Sequence, residues 1–231
     1  MAQTSRPPRT AVLEITLLRI KNKLTPKETL PILQNVRQHL REGVHATHSR
    51  FYTCIEDISL IYIFGTWPST QIHHDFLSSS KREEVLGNQE DIFDFEWGIH
   101  VPMPLNFGEF GGMNEEVLPL TAPVIAFARF FIKPEEEHVD AYEATLNKYR
   151  YLIEEETAPS KVFDAWRMDC KDGEKESVML SGWRSKEHHD EWRVKTRSEN
   201  EEYRGIRDHY ARIEVRHLVD LERGVGGLRE T

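Results

Sequence analysis

The chain has 231 residues, 39% of them apolar, and carries a formal charge of -9 with a pI near 5.7. That length suits one large domain or two small ones, each with enough apolar side chains for a core. The acidic balance leaves no basic stripe to displace counterions from phosphates, so nucleic acid is excluded as a partner, and no run is long and apolar enough to make a membrane one.

The start, MAQTSRPPRT (1–10), lacks the apolar centre of a signal peptide and reads as a disordered tail, which makes a soluble, cytoplasmic protein the expectation. AVLEITLLRI (11–20) follows as a strand, then a helix through LTPKETLPILQNVRQHLREG. Thr25 and Glu28 form a capping-box pattern with Pro26 in the first turn, and Leu30, Leu33, Val36 and Leu40 recur at helical spacing. Pro31 is awkward inside that helix and suggests a start delayed to Thr29. Strands are expected at 48–55 and 58–67, then a helix capped by Ser69 and broken near Gly87, then a strand at 91–101.

The same series returns further on. Strands at 124–132, 161–170, 176–183 and 209–219 enclose a helix with Val139, Tyr142, Leu146, Tyr149 and Ile153 on one face and another capped by Ser185. WPSTQIHHDF (67–76) matches WRSKEHHDEW (183–192), pairing Trp67 with Trp183, Ser69 with Ser185, His73 with His189 and Phe76 with Trp192. At the same offset Cys54 falls on Cys170, and at nearly the same one His100 falls on His217. The fold expected is α+β, two tandem ferredoxin-like βαββαβ units. Their boundaries are 11–101 and 123–220, with a Pro/Gly-rich linker at 102–122 and a C-terminal tail at 221–231. LIYIF (60–64) and VIAFARFFI are apolar on both faces, so each sheet needs a second cover, most economically the other unit's sheet, in an intramolecular α/β barrel. Cys54 and Cys170 read as reduced core residues.

FGTWPSTQIHHDF and LSGWRSKEHHDEW resemble the dimeric α/β-barrel superfamily, and within it the antibiotic biosynthesis monooxygenase type. Members often end the third strand with Trp, follow it with a Ser or similar cap, and place a His in the next helix. The resemblance covers nearly the whole chain apart from tails and linker. It implies a pocket in each half, between sheet and helices, of the kind used there on hydrophobic aromatic or polyketide-like molecules. Activities in that group include oxidation by dioxygen without metal or flavin, cyclisation, isomerisation, decarboxylation, and haem binding or breakdown. A barrel there usually takes two chains, whereas this sequence looks like a fused pair, either a monomer with pseudo-two-fold symmetry or a homodimer.

Adjacent residues on a helix diverge by about 100°, so in each HH doublet one ring faces inward, His73 with Phe76 and His189 with Trp192. Neighbouring histidines cannot easily share an ion, so no metal is expected from these doublets. The inward His is either a packed, hydrogen-bonded core residue or a pocket acid or base. Trp67 and Trp183 read as core anchors or as aromatic walls for a flat ligand, together with Phe76. Trp97 and Trp166 have no counterpart in the other copy and suit a specific pocket. Glu14, Tyr62 and His48 occur only in the first copy, and Arg129 only in the second. Glu14 and Arg129 either neutralise each other or each stand beside a pocket.

P-loop, GxGxxG, GxSxG and HExxH patterns are absent from the sequence. The function expected is an enzyme of specialised metabolism acting on a hydrophobic aromatic or polyketide-like small molecule, most simply a cofactor-independent monooxygenase. A pocket His or Tyr deprotonates the substrate, and Tyr62 or Arg129 stabilises the anion that meets dioxygen. A cyclase, dehydratase or decarboxylase using the same groups is the nearest alternative. A non-catalytic stress protein binding haem or another ligand is the alternative from a different class.

Overall fold

The computed structural model describes residues 11–44, 47–103 and 115–223, so the expected tails, most of the linker and His45 lie outside the described residues. By compactness the chain divides into two units, one reaching Phe51 and resuming at Ser59, the other combining Tyr52–Ile58 with the chain from Glu115 onward. The second unit thereby takes the last three residues of the second strand and the turn after it.

The first unit holds β1 (Val12–Ile20), α1 (Pro26–Gly43), most of β2 (His48–Cys54), β3 (Leu60–Trp67), α2 (Thr70–Leu77), α3 (Lys81–Glu90) and β4 (Phe93–Pro102). Its strand order is β4-β1-β3-β2, the ferredoxin-like arrangement. Helix α1 begins at Pro26 with the Thr25–Glu28 capping box in place and runs through Pro31, so the delayed start is not observed. Pro31 is exposed, and Lys27, whose carbonyl loses its helical donor, is exposed as well and can be solvated. The next helical break falls at Ser78–Ser80 instead of Gly87, because Ser78 caps α2 and Gly87 lies inside α3.

The second unit repeats the series with β5 (Val124–Ile132), α4 (Glu136–Thr157), β6 (Val162–Trp166), β7 (Lys175–Trp183), α5 (Lys186–Glu199), the short α6 (Glu201–Arg204) and β8 (Tyr210–Asp220), in the order β8-β5-β7-β6. Tyr52, Thr53 and Cys54 pair with Asp220, Val219 and Leu218 in this unit. Strand β6 is shorter than expected, ending at Trp166 before a turn that Gly173 completes with φ of 81°, where a side chain is disfavoured.

Alternation along the strands sorts the first unit's sheet into two faces. Glu14, Thr16, Leu18, Ile63, Trp67, Gly98 and His100 face the helices and line one cavity, whereas Leu13, Ile15, Tyr62, Phe64, Ile99 and Val101 lie on the opposite, buried face. Both faces are therefore withdrawn from water, as the apolar runs required.

Arg129 does not neutralise Glu14. Its Nε donates to Glu176 Oε1 at 2.5 Å and its Nη2 to Oε2 at 3.1 Å, with Glu214 a further 3.4 Å contact from the other flanking strand. Arg167 adds a 3.0 Å bond to the same Glu176 carboxylate, which is buried. Removing that acid takes both short bonds from the buried Arg129 guanidinium and one from half-buried Arg167, which keeps Asp169 at 2.6 Å. We expect Glu176→Leu to lower the unfolding free energy by about 3 kcal/mol, and the double change Arg129→Met/Glu176→Leu to recover much of the loss, both read by urea denaturation.

Candidate active site

Each unit builds the same junction where its third strand hands over to a helix. Ser69 accepts from the Ile72 N–H and Ser185 from the His188 N–H, which fixes both helix starts. The first inward residues are then His73 and His189, both buried, while His74 is exposed and His188 turns to Glu156 at 2.7 Å. Trp67 stacks on His73 with ring centroids 4.3 Å apart, and Trp183 lies 4.5 Å from His189. Behind them, Phe76 and Trp192 close the apolar side of each indole.

A buried imidazole requires partners. In both units the partner is a second histidine from the last strand: His73 Nδ1 lies 2.7 Å from His100 Nε2, and His189 Nδ1 lies 2.8 Å from His217 Nε2. His100 and His217 were passed over because no local motif marks either one. The signal for them lies in their offset, one residue different from the offset that aligns the doublets.

The units diverge at the indole N–H. In the first, Trp67 Nε1 donates to Glu14 Oε2 at 2.6 Å, and Gly65, directly across the strands from Glu14, leaves room for the carboxylate. In the second, Trp183 Nε1 donates to Ser181 Oγ at 2.8 Å, and the residue across from Ser181 is Ala126. A Glu/Gly pair and an Ala/Ser pair thus solve the same problem, the first with a carboxylate and the second with a hydroxyl. Glu14 Oε1 also accepts from Thr16 at 2.7 Å, and Oε2 sits 3.5 Å from His73 Nε2. Its side chain is 18% exposed, toward a cavity of about 660 Å³.

That cavity is walled by apolar groups of α1, α2, α3 and the sheet, among them Leu33, Leu40, Phe51, Phe76 and Leu86. Its volume falls within the range of small-molecule sites, roughly 300–1,000 Å³. The equivalent space in the second unit, beside His189, Trp192 and Ala126, is about 90 Å³. There the carboxylate approaches from the other end of the pair: Glu56 Oε1 is 2.5 Å from His217 Nδ1, and its Oε2 accepts from the His217 backbone N–H at 3.0 Å and from Cys54 Sγ at 3.2 Å. Burial, together with that carboxylate, pushes the Cys54 thiol up to about 11.

Of the residues singled out from sequence, Glu14, His73, Trp67 and Phe76 come together at one cavity. Tyr62 does not, since it lies on the far face of the sheet with its ring 6.0 Å from Trp97. Strand alternation sends both away from Glu14. His48 opens β2 half-buried and does not line the cavity. Arg129 is held in its ion pairs. Trp166 donates to Glu143 at 2.6 Å beside a separate polar recess, and Trp183 and His189 belong to the tighter second junction.

No protein-family model and no curated protein matches the chain. Solved structures do. An anthrone oxidase-like protein aligns at 12% identity with a TM-score of 0.60, covering 90% of this chain and 91% of the other. A candidate monooxygenase from Fusobacterium nucleatum aligns at 10% and 0.58, over 92% and 93%. A chlorite dismutase variant from Candidatus Nitrospira defluvii aligns at 12% and 0.57, over 94% of both chains. At this level of identity the likeness shows the fold alone, two ferredoxin-like units in one chain.

These neighbours correct one expectation. Chlorite dismutases are haem-binding proteins, so this fold gives no ground for expecting a cofactor-free chain. The four histidines of the two junctions, as they are paired, nevertheless do not fit a haem. His73 and His100 are bonded to each other, as are His189 and His217, with the outer nitrogens of His73 and His217 turned to Glu14 and Glu56. An axial ligand must instead project one nitrogen toward the macrocycle.

Burial, then the charge of His217, holds His189 down to about 3, from an ordinary value of 6.5. Between those values the unfolded chain binds a proton that the folded chain refuses. Stability from this group is complete above about pH 6.5 and is lost as the pH falls toward 3. Arg193 and Lys186 act in the same direction as burial, and Asp190 opposes them. Denaturation midpoints measured from pH 7 to 4 should therefore fall, and His189→Gln should flatten that slope.

Proposed function

We propose that the chain is an enzyme performing an oxidative reaction on a hydrophobic, aromatic or polyketide-like small molecule bound in the first unit's cavity, with Glu14 as proton acceptor. The observation that carries this reading is a partly exposed carboxylate, held in place by Trp67 and Thr16, beside the apolar walls of a cavity that Lys21, Arg37, Arg82, Glu90 and Asp94 also line. Neighbours of the same fold that include an anthrone oxidase-like protein and a candidate monooxygenase support an oxidative reaction. The acidic charge and the free cysteines favour a cytoplasmic setting, and no described helix is long and apolar enough to cross a membrane.

A flat substrate lies among Leu33, Leu40, Phe51 and Phe76 and presents a phenolic or enolic hydroxyl, or a C–H beside a carbonyl, to Glu14. Glu14 takes that proton and the electron pair stays on the substrate, where an aromatic system spreads it. This electron-rich anion is the species that dioxygen oxidises. Two bonds already occupy Glu14, and both hold it in the direction of the cavity, so little reorganisation precedes transfer. His73 lies 3.5 Å beyond Glu14 and, with His100, fixes the floor of the site.

The second unit supplies a control for folding. Glu14→Ala/Gly65→Ser rebuilds in the first unit the indole acceptor that Ser181 provides in the second. The expected variant unfolds within about 1 kcal/mol of the parent, as one hydrogen bond replaces another, but turns over a polyhydroxyaromatic substrate at least about 100-fold more slowly. Unchanged turnover would remove Glu14 from the reaction. Hydrophobic aromatic compounds that raise the melting temperature of the parent should lose that effect in Leu40→Trp, which fills the cavity.

A further inference from the structure

The His73–His100 pair has a second chemical use. Its two facing nitrogens, 2.7 Å apart, hold one proton between two lone pairs. Adjacent ligands about 2.1 Å from an ion stand roughly 3.0–3.4 Å apart, so an ion that replaces this proton needs the two rings to part by less than about 1 Å. Glu14 lies at the other edge of the His73 ring, Oε2 3.5 Å from Nε2, and one ligand atom from each of Glu14, His73 and His100 lies within 4.8 Å of the others. We propose that Glu14, His73 and His100 bind one first-row divalent transition-metal ion at the inner end of the first unit's cavity.

Three features favour an ion here. The donors come from β1, α2 and β4, so they converge from three directions and leave the cavity side open. Two imidazoles and one carboxylate with open positions form a donor set suited to first-row ions that also hold a substrate or water. Glu14 is aimed by Trp67 and Thr16, the outer support that metal-ligating carboxylates commonly have. His74, the other member of the doublet, is exposed. The ligands that matter come from distant strands.

The second unit gathers His189, Asp190 and His217 within the same limit. Its surroundings oppose an ion. Asp190 is paired with Lys186 and lies 3.7 Å from Arg193, Ala126 stands where the first unit has Glu14, and the space left is about 90 Å³. One ion per chain is therefore the expectation.

This inference rests on the proposed function's cavity and deepens that reading: with an ion bound, Glu14 would serve as a ligand, a hydroxide held by the ion would take the substrate proton in its place, and the ion would carry the charge left behind. It is tested without substrate. The full chain, treated with chelator and dialysed, is titrated with Co²⁺ and followed by calorimetry and by visible absorption of the bound ion. We expect one Co²⁺ per chain, weakened at least tenfold by Glu14→Gln and by His100→Ala, and unchanged by His217→Gln, with circular dichroism showing each variant folded. Absence of saturable binding, two ions per chain, or indifference to Glu14→Gln overturns the metal site. If Co²⁺ binds as expected while no hydrophobic compound stabilises the protein, the metal site stands and the proposed function fails. If hydrophobic compounds stabilise it but Co²⁺ does not bind, the reverse holds.

Discussion

A buried imidazole that lacks a partner costs a desolvated polar group, and the fold of each unit is arranged around meeting that cost. The strand-to-helix junction packs an indole on the ring of His73 or His189, and the stacking leaves the ring edge to be satisfied. A histidine from the last strand does so in both units, which ties the helix after the third strand to the last strand. The Ser caps, the Trp and the second aromatic all serve to place that one contact.

Once the pair is in place, the indole N–H becomes the next group that needs an acceptor, and the units part there. A carboxylate opposite a glycine answers it in the first unit, and a serine opposite an alanine in the second. The first answer leaves a charged, partly hydrated oxygen that cannot be walled over without loss of solvation, so the space before it stays open, at about 660 Å³. The second answer is neutral and lets the neighbouring side chains close in, to about 90 Å³.

Charge is handled in the same economical way elsewhere in the second unit. Arg129 lies in an otherwise apolar strand, yet its ion pairs on both flanking strands are complete, with Glu176 held between Arg129 and Arg167. A charge of this kind looks functional in a sequence, because burial makes any unpaired charge costly, and the partner that removes the cost is far away along the chain.

The amino-acid sequence by itself determined the two ferredoxin-like series, the Ser-capped junctions and the inward turn of His73, His189, Phe76 and Trp192, because each follows from spacing within a few residues of one helix or strand. It also pointed to Glu14, whose charge inside an apolar strand had to be answered by something. Only the tertiary structure decided what answered it. Strand register set Glu14 against Gly65 and His100, sent Tyr62 and Trp97 to the opposite face, and gave Arg129 to Glu176, since cross-strand pairing joins residues that are remote in sequence and a single-residue shift in register exchanges the two faces of a sheet.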